Sequence, residues 1–293
     1  MFKGSFTALI TPFKNGEVDE AAFKRLVDWQ IKEGTHGLVP CGTTGESPTL
    51  DHGEHNRVIE LCVKTAKGRV PVMAGTGSNS TDEAVAMTKF AEKAGADGAL
   101  LAAPYYNKPT QEGLYQHFKA IHDETRIPLF LYNIPGRSVV DMKDELIARL
   151  AQLPRIKGLK DATGDLARPL SLAMQLRKRK HDFIQLSGED ATAIAFNVHG
   201  GKGCISVTSN IAPKLCAQLQ DASLKGDIAK AMKIQEKLMP IHKAMFVETS
   251  PGPVKYAASL MGICKAEWRL PLVPPSKASQ QQVKEALELA GLI

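Results

Sequence analysis

The feature that most constrains the fold of this chain is a repeated pattern, in which a short apolar run is followed by a segment with helical periodicity. Eight such runs occur: FTALIT at residue 6, GLVPCG at 37, VPVMAGTG at 70, GALLAAP at 98, PLFLYN at 128, IKGLKD at 156, FIQLSG at 183 and CISVTSN at 204. Nearly continuous apolar runs of this length are typical of strands in a parallel sheet that helices cover. Eight consecutive βα units predict an α/β fold, the (β/α)8 TIM barrel.

The segments between the runs carry helix signals. DEAAFKRLVDWQIKEG at residue 19 and TDEAVAMTKFAEKAGA at residue 81 have apolar residues at helical spacing. Ser80 and Glu83 form a capping-box pattern at the start of the second of these helices. After about residue 210 only helical segments follow. We therefore expect a catalytic barrel over residues 1–224 and a helical C-terminal domain over residues 225–293.

An open doubly wound sheet with a nucleotide site is the structural alternative to a barrel. The stretch GTGSNS at residue 75 has Ser80 where a dinucleotide-binding motif needs its last glycine. The stretch HGGKGC at residue 199 has Gly203 after Lys202, where a phosphate-binding loop needs serine or threonine. Neither motif is complete, so the barrel is favoured and no nucleotide cofactor is expected.

Composition narrows the class of protein further. With 293 residues, 43% of them hydrophobic, the chain can bury a large core without disulfides or a structural metal. Its five cysteines include no C-x-x-C pair, which fits a reducing cytoplasm and predicts no metal site. Polar residues and proline interrupt the N-terminal MFKGSFTALITPF too early for a signal peptide, and no apolar run is long enough to span a membrane. We expect a cytoplasmic protein without a membrane partner.

The charge of the chain is mildly positive, with a formal net value of +6. Its densest basic run is RKRKH at residues 177–181, and no aromatic residues interleave these charges. A solvated helix end is therefore favoured over a nucleic-acid-binding surface. The small positive excess is compatible with small anionic substrates.

Lys160 is the most unusual residue for its position, because it ends the sixth apolar run. Barrel enzymes carry their active sites at the carboxyl ends of the strands, so residues there are candidates for catalysis. An ammonium group at an apolar strand end is unfavourable unless it pairs, as with neighbouring Asp161, or reaches solvent. A buried neutral amine is instead a nucleophile that condenses with a ketone to form a Schiff base. In a barrel, this second interpretation is favoured.

Two further strand ends supply groups that this chemistry needs. Tyr132 ends the fifth run and can transfer protons during imine formation, although a tyrosine there is also compatible with core packing. Thr43 and Thr44 lie in a glycine-flanked turn that can hold a carboxylate, although an ordinary turn has the same composition. Arg137, in a loop after the fifth run, can clamp a second carboxylate or remain solvated.

Together these residues resemble the dihydrodipicolinate synthase family, within the pyruvate-dependent class I aldolase superfamily that includes N-acetylneuraminate lyase. The resemblance covers essentially the whole chain and runs through GSFTALITPF, GTTGES, PYYNKPTQEGLYQHFKAI, YNIPGR, KDATG, LSGED, ISVTSN and SPGPVK. It implies condensation of pyruvate with L-aspartate 4-semialdehyde to 4-hydroxy-tetrahydrodipicolinate and water, on the route to diaminopimelate and lysine. It also implies a homotetramer built as a dimer of dimers, and no metal or organic cofactor.

The resemblance assigns roles to individual residues. The implied catalytic residues are Lys160, which forms the Schiff base with pyruvate, and the proton relay Thr43, Tyr132 and Tyr106, of which Tyr106 reaches into a neighbouring subunit. The implied substrate-binding residues are Thr44 with Thr43 for the pyruvate carboxylate, Arg137 for the carboxylate of the semialdehyde, and the backbone near Gly188 and Ile205.

Regulated members of the family bind the feedback inhibitor L-lysine at an interface between paired subunits. The matching positions here are Ser47, His52, His55, Asn79, Glu83 and Tyr105. Pro48 differs from the smaller residue associated with regulated members. From the residues alone, His52, Glu54 and His55 could suggest a metal cluster, but their place at a helix start favours capping and solvent contacts. L-lysine is therefore an expected effector.

Two other functions stay open. The first is cleavage of a 2-keto-3-deoxy sugar acid or of N-acetylneuraminate to pyruvate. Sugar-acid lyases of the superfamily generally lack an arginine at the position of Arg137 and carry other residues in the G-T-T-G position, so the synthase is favoured. The second is a barrel kept as a binding or regulatory module without turnover, which the presence of Lys160 and Tyr132 disfavours.

Overall fold

The eight apolar runs form the eight parallel strands of one sheet in the computed structural model, which describes residues 1–178 and 182–293. The strands are β1 Gly4–Ala8, β2 Gly37–Val39, β3 Met73–Gly75, β4 Gly98–Ala102, β5 Leu129–Asn133, β6 Ile156–Asp161, β7 Ile184–Ser187 and β8 Gly203–Ser206. They are neighbours in the order β2-β1-β8-β7-β6-β5-β4-β3. A parallel bridge between Leu38 of β2 and Val72 closes this order into a ring. The predicted TIM barrel is confirmed.

Helices surround the barrel and continue beyond it. They are α1 Glu20–Lys32, α2 His52–Ala66, α3 Thr81–Ala94, α4 Gln111–Glu124, α5 Pro135–Ser138, α6 Asp144–Leu150, α7 Arg168–Gln175, α8 Ala193–Val198, α9 Pro213–Leu224, α10 Ile228–Ala244, α11 Gly252–Leu260 and α12 Lys277–Leu289. At least one helix follows each strand, and α10 to α12 form the expected C-terminal helical extension. A small hairpin of Phe13–Lys14 and Glu17–Val18 precedes α1.

Two regions bear on the expected partners. Residues 179–181, which belong to the basic run at residues 177–181, lie outside the described residues. Within the ranges that the structure does describe, no helix has both the length and the apolar character needed to cross a membrane.

Side-chain caps begin several of the helices, with one departure from the prediction. Asp51 accepts a hydrogen bond from the backbone N of Glu54, and the Glu54 carboxylate accepts one from the backbone N of Asp51, which completes a capping box at α2. At α3, Ser80 caps the backbone N of Glu83 at 3.5 Å, but the Glu83 side chain does not return to Ser80. It accepts a hydrogen bond from Ser78 instead. The capping box predicted at α3 is thus only half formed.

Alternation along the strands separates the inside of the barrel from the layer between strands and helices. The inner cluster consists of Phe2, Phe6, Ala8, Val39, Met73, Leu100, Phe130, Tyr132, Leu186 and Ile205. In β6, Leu159 belongs instead to the cluster that packs against the helices. Because successive side chains of a strand point to opposite faces, the next residue, Lys160, faces the barrel interior.

His117 is one of several buried histidines whose lowered pKa makes the stability of the fold depend on pH. His117 of α4 is 6% exposed, its Nδ1 lies 2.9 Å from the hydroxyl of Thr81, and its Nε2 has no hydrogen-bond partner among the described residues. Burial lowers the pKa of His117 to about 4. Since an unfolded histidine titrates near pH 6.5, this group binds fewer protons in the folded state. Its contribution to stability is complete above about pH 6.5 and is lost as the pH falls toward about 4.

We expect His117 to account for a loss of about 2 kcal/mol of unfolding free energy between about pH 7.5 and pH 5. His117→Gln should remove that part of the acid loss, and urea unfolding of both proteins at the two pH values measures it. His36→Gln is the control, because His36 is partly exposed and pairs with Asp221. An unchanged acid loss in His117→Gln would contradict the assignment.

Candidate active site

Lys160 lies at the carboxyl end of β6, on the inner face of the strand. Its partners in the sheet are Tyr132 of β5 and Leu186 of β7. The residue is only 6% exposed, and its Nζ lies 4.1 Å from the centre of the Tyr132 ring. The predicted pairing of a buried lysine with a tyrosine on the adjacent strand end is therefore present.

The ion pair that would make Lys160 an ordinary structural lysine is not formed. Asp161 accepts hydrogen bonds from the backbone N and the hydroxyl of Thr163, at 2.9 and 2.7 Å, and lies 3.8 Å from Nε of Arg168. Burial raises the pKa of Asp161, while Thr163 and Arg168 oppose this effect. In the described part of the chain, no side chain forms a hydrogen bond or an ion pair with Nζ of Lys160. The contact of the amine with the ring of Tyr132 is therefore not accompanied by a hydrogen bond or an ion pair from the described side chains.

Tyr132 connects this amine with a cavity. The tyrosine is 5% exposed, and it lines a cavity of about 390 Å³, whereas Lys160 is not part of the lining. Among the described residues, none forms a hydrogen bond with the hydroxyl of Tyr132. The ring packs in the inner cluster, as the alternative role for this tyrosine requires, but the backbone hydrogen bond that this role gives to the hydroxyl is not formed. The hydroxyl is free to act on a bound molecule.

The lining of the cavity combines two groups of predicted residues. Three belong to the predicted catalytic and substrate-binding set: Thr43, Tyr132 and Arg137. Five belong to the predicted effector set: Ser47, His52, His55, Glu83 and Tyr105. Pro48 also lies in the lining. The two groups thus share one continuous space within a single chain.

Thr43 and Thr44 lie in a 3₁₀ turn, Thr43–Gly45, that follows β2. The hydroxyl of Thr11 donates to the carbonyl of Gly45 at 2.7 Å, and a Cβ at Gly45 would lie 3.1 Å from the carbonyl oxygen of Leu9. The turn is therefore packed closely against the end of β1. No described residue forms a hydrogen bond with the hydroxyl of Thr43 or Thr44. Thr43 lines the cavity, whereas Thr44 is 5% exposed and lies outside the lining.

Arg137 lies in the single helical turn α5, where the sequence predicted a loop. Its Nη2 donates a hydrogen bond to the carbonyl of Ser250 at 2.9 Å, and the residue lines the cavity. The side chain is exposed, as the solvated alternative requires, but this one bond fixes its direction. The other N–H groups of the guanidinium have no partner among the residues that the structure describes.

Five residues of the predicted catalytic and substrate-binding set lie outside the cavity lining: Lys160, Thr44, Tyr106, Gly188 and Ile205. Tyr106 is 90% exposed and has a positive φ of 69°, so it lies on the surface of the chain. The backbone N of Gly188 donates to the carbonyl of Asp161 at 2.6 Å, at the junction of β6 and β7. Ile205 packs in the inner cluster of the barrel. Within one chain, the structure brings Thr43 and Tyr132 to the cavity but not Tyr106.

The residues at the predicted effector positions form a connected cluster. Nε2 of His52 lies 2.6 Å from Oε1 of Glu83, and Ser78 donates to the other carboxylate oxygen. The hydrogen bonds from Ser78 and His52 lower the pKa of Glu83. Asn79 donates to the carbonyl of Tyr105 at 3.3 Å, so it joins the cluster without lining the cavity. The residues that the structure describes include no group of three or more metal-ligating side chains placed around a common point.

Sequence reasoning missed the ion pair behind the Thr43–Gly45 turn. Glu46, the next residue, is 1% exposed, and its carboxylate lies 2.5 Å from Nζ of Lys255 and 3.2 Å from the backbone N of Arg269. One signal was present in the sequence, since Lys255 interrupts the otherwise uncharged segment PGPVKYAASL.

The fold and the position of Lys160 define a class of protein: a (β/α)8 barrel with a buried lysine at the carboxyl end of its sixth strand, which has no ion-pair partner among the described residues, a setting typical of Schiff-base chemistry. The chain belongs to the dihydrodipicolinate synthetase family, whose model matches residues 1–290. It is 62% identical over 293 residues to a 4-hydroxy-tetrahydrodipicolinate synthase from Rhodospirillum centenum, with 100% of both chains covered.

Two solved structures show the same architecture. The chloride inhibited dihydrodipicolinate synthase from Acinetobacter baumannii, complexed with pyruvate, is 44% identical, with a TM-score of 0.97 and 100% of both chains covered. The protein from Cyanidioschyzon merolae with lysine bound is 36% identical, with a TM-score of 0.94, and the match covers 100% of this chain and 99% of that one. The family resemblance seen in the motifs is confirmed over the whole chain.

Proposed function

We propose that this protein condenses pyruvate with L-aspartate 4-semialdehyde to form 4-hydroxy-tetrahydrodipicolinate, the branch-point step toward diaminopimelate and lysine. One observation carries the proposal: Lys160 is buried at a strand end without an ionic partner in the described chain, with its amine 4.1 Å from the ring of Tyr132. The full-length identity to proteins named for this reaction supports the choice of substrates. The chemistry needs neither a metal nor an organic cofactor.

The first half of the reaction activates pyruvate. The amine of Lys160 attacks C2 of pyruvate, and dehydration of the resulting carbinolamine releases one water and leaves an imine. These steps transfer protons to and from the departing oxygen, and the free hydroxyls of Tyr132 and Thr43 are the groups proposed to carry them. Loss of a proton from C3 then gives an enamine, because the protonated imine accepts the electrons of the broken C–H bond.

The second half forms the carbon–carbon bond and releases the lysine. C3 of the enamine attacks the aldehyde carbon of the semialdehyde, whose oxygen becomes the hydroxyl of the product. The amino group of the same substrate then attacks the imine carbon, which closes the ring and expels the amine of Lys160 unchanged. The water lost during imine formation is the only other product, so the atoms balance.

The two carboxylates of the substrates need separate binding groups. We assign the pyruvate carboxylate to the Thr43–Gly45 turn, whose hydroxyls are unused, with the backbone near Gly188 and Ile205 completing the pocket. We assign the semialdehyde carboxylate to Arg137, which lines the cavity, has N–H groups without a partner in the described part of the chain and can bind a carboxylate in bidentate fashion.

An assembly of several chains is part of the proposal. The position of Tyr106 on the surface, 90% exposed, supports its role as a proton donor in a neighbouring subunit of a homotetramer, arranged as a dimer of dimers. A cytoplasmic location is also proposed, and the five free thiols among the described residues agree with it.

The experiment that tests the reaction compares two assays on the same enzyme. One couples consumption of pyruvate and L-aspartate 4-semialdehyde to product formation, and the other follows pyruvate release from a 2-keto-3-deoxy sugar acid. We expect the first activity to dominate. Dominance of the second would assign the protein to the sugar-acid lyases instead, and absence of both would favour a binding module.

We propose L-lysine as an inhibitor that binds the cluster of His52 and Glu83. Its side-chain ammonium would pair with the Glu83 carboxylate, whose pKa is lowered by the hydrogen bonds from Ser78 and His52. We expect added L-lysine to reduce the rate of condensation, and Glu83→Gln to raise the inhibitory concentration by about 10-fold to 100-fold, the range for a charged hydrogen bond. Norleucine, which lacks the side-chain ammonium group, is the control ligand. Full activity at saturating L-lysine would reject this proposal.

A further inference from the structure

A buried ion pair joins the candidate site to the C-terminal helices. Lys255 belongs to α11, Glu46 directly follows the Thr43–Gly45 turn, and the side chains of both are fully buried, with Nζ and Oε1 at 2.5 Å. Transfer of two charges from water to the interior carries a desolvation cost that their attraction offsets only in good geometry. A buried ion pair is therefore weak evidence for a role in stability. Its position next to the Thr43–Gly45 turn suggests a role at the candidate site.

Glu46 has an unusual backbone conformation for a residue with a side chain. Its φ of 55° and ψ of 34° are left-handed, and its backbone N donates to the carbonyl of Thr43 at 3.1 Å. Non-glycine residues keep this conformation where the surrounding structure fixes them. The carboxylate of Glu46 is fixed from two directions, by Nζ of Lys255 and by the backbone N of Arg269. The anchored side chain therefore holds the end of the turn in place.

Further contacts hold both groups that fix the Glu46 carboxylate. Nζ of Lys255 lies 4.1 Å from the centre of the Phe13 ring, and the guanidinium of Arg269 packs on the same ring at 4.4 Å. Arg269 also forms two hydrogen bonds with the Glu54 carboxylate, at 2.5 and 2.6 Å. Burial lowers the pKa of Lys255, and the nearby Glu46 carboxylate opposes that effect. The pair is thus part of a network that links the N-terminal hairpin, α2 and the C-terminal segment.

We infer that Lys255 is a positioning residue for pyruvate: through Glu46, it holds the Thr43–Gly45 turn in the conformation that receives the pyruvate carboxylate. This inference rests on the proposed function of the turn. The residues just before α11 also contact Arg137, through the backbone carbonyl of Ser250. Ser250 is not part of the ion pair. Removal of the ion pair should therefore weaken the binding of pyruvate more than the binding of the semialdehyde.

The test uses the double variant Glu46→Gln/Lys255→Met in the full chain. It removes both charges, keeps similar side-chain volumes and leaves an acceptor for the backbone N of Arg269. We expect the pyruvate concentration for half-maximal borohydride trapping to rise about 10-fold or more, since small misplacements of binding groups have effects of this order. The KM for the semialdehyde should change by less than about threefold. A merely structural role would lower the amount of active enzyme without changing either constant.

A second variant keeps the test decisive. Glu46→Gln alone removes the buried carboxylate and leaves Lys255, which can lose its proton, so no charge has to stay unpaired in the interior. The pyruvate concentration for half-maximal trapping is expected to rise in this variant too. Glu112→Gln/Arg149→Met is the matched control, since it removes an exposed ion pair of 2.5 Å that lies away from the turn. An unchanged pyruvate constant in either folded variant overturns the inference. Failure of the wild-type protein to trap pyruvate at all would instead refute the proposed function.

Discussion

Lys160→Ala is expected to abolish pyruvate-dependent inactivation by borohydride and to reduce turnover by at least about 10⁴-fold, because it removes the only protein atom that bonds to pyruvate in the proposed mechanism. Lys160→Arg should behave in the same way. A guanidinium keeps the positive charge but does not lose its proton at neutral pH, so it cannot form an imine. The comparison of the two variants separates loss of the nucleophile from loss of a charge.

Lys157→Ala is the matched control for this prediction. Lys157 lies in the same strand, β6, three positions earlier, and is partly exposed where Lys160 is buried, so its removal should leave borohydride trapping intact. Trapping is followed by residual activity after incubation with pyruvate and borohydride. If Lys160→Ala still formed the adduct, the nucleophile would be another residue and the proposed site would be wrong.

Arg137→Ala should lower kcat/KM for L-aspartate 4-semialdehyde by about 100-fold, while the pyruvate concentration for half-maximal trapping changes by less than about threefold. The reason is the proposed division of labour, in which the guanidinium binds the carboxylate of the second substrate only. A charged hydrogen bond contributes about 1.5–3 kcal/mol, which corresponds to this loss. Steady-state kinetics with the semialdehyde and trapping with pyruvate measure the two effects separately.

Arg137→Lys is the matched variant for that measurement. It retains the charge but not the planar fork, so it should restore part of the lost efficiency if bidentate binding contributes. Equal losses of semialdehyde use and of imine formation in Arg137→Ala would argue that Arg137 has a structural role, through its bond to Ser250.

The barrel was predictable because each strand is encoded locally. The run IKGLKD coincides with β6, and the register of β5 and β6 places Tyr132 beside Lys160, as the order of apolar runs indicates. Residues at adjacent strand ends meet in any parallel barrel, so the central pair of the candidate site follows from the fold alone.

The features that sequence reasoning missed depend on contacts between distant parts of the chain. The ion pair of Glu46 and Lys255 joins residues 209 positions apart, and the bond of Arg137 to Ser250 spans 113 positions. Neither distance leaves a periodic pattern in the sequence. The capping box predicted at Ser80 and Glu83 is half formed, because the Glu83 carboxylate binds a nearby residue, Ser78, and a residue 31 positions away, His52, instead of the backbone of Ser80.

The most direct measurement of the central claim locates the reduced pyruvate adduct in the wild-type protein. The protein is incubated with pyruvate and borohydride, digested, and its peptides are analysed by mass spectrometry. We predict one carboxyethyl group per chain, attached to the side-chain nitrogen of Lys160. No modification, or modification of a different lysine, would contradict the assignment of this amine as the group that binds the keto acid.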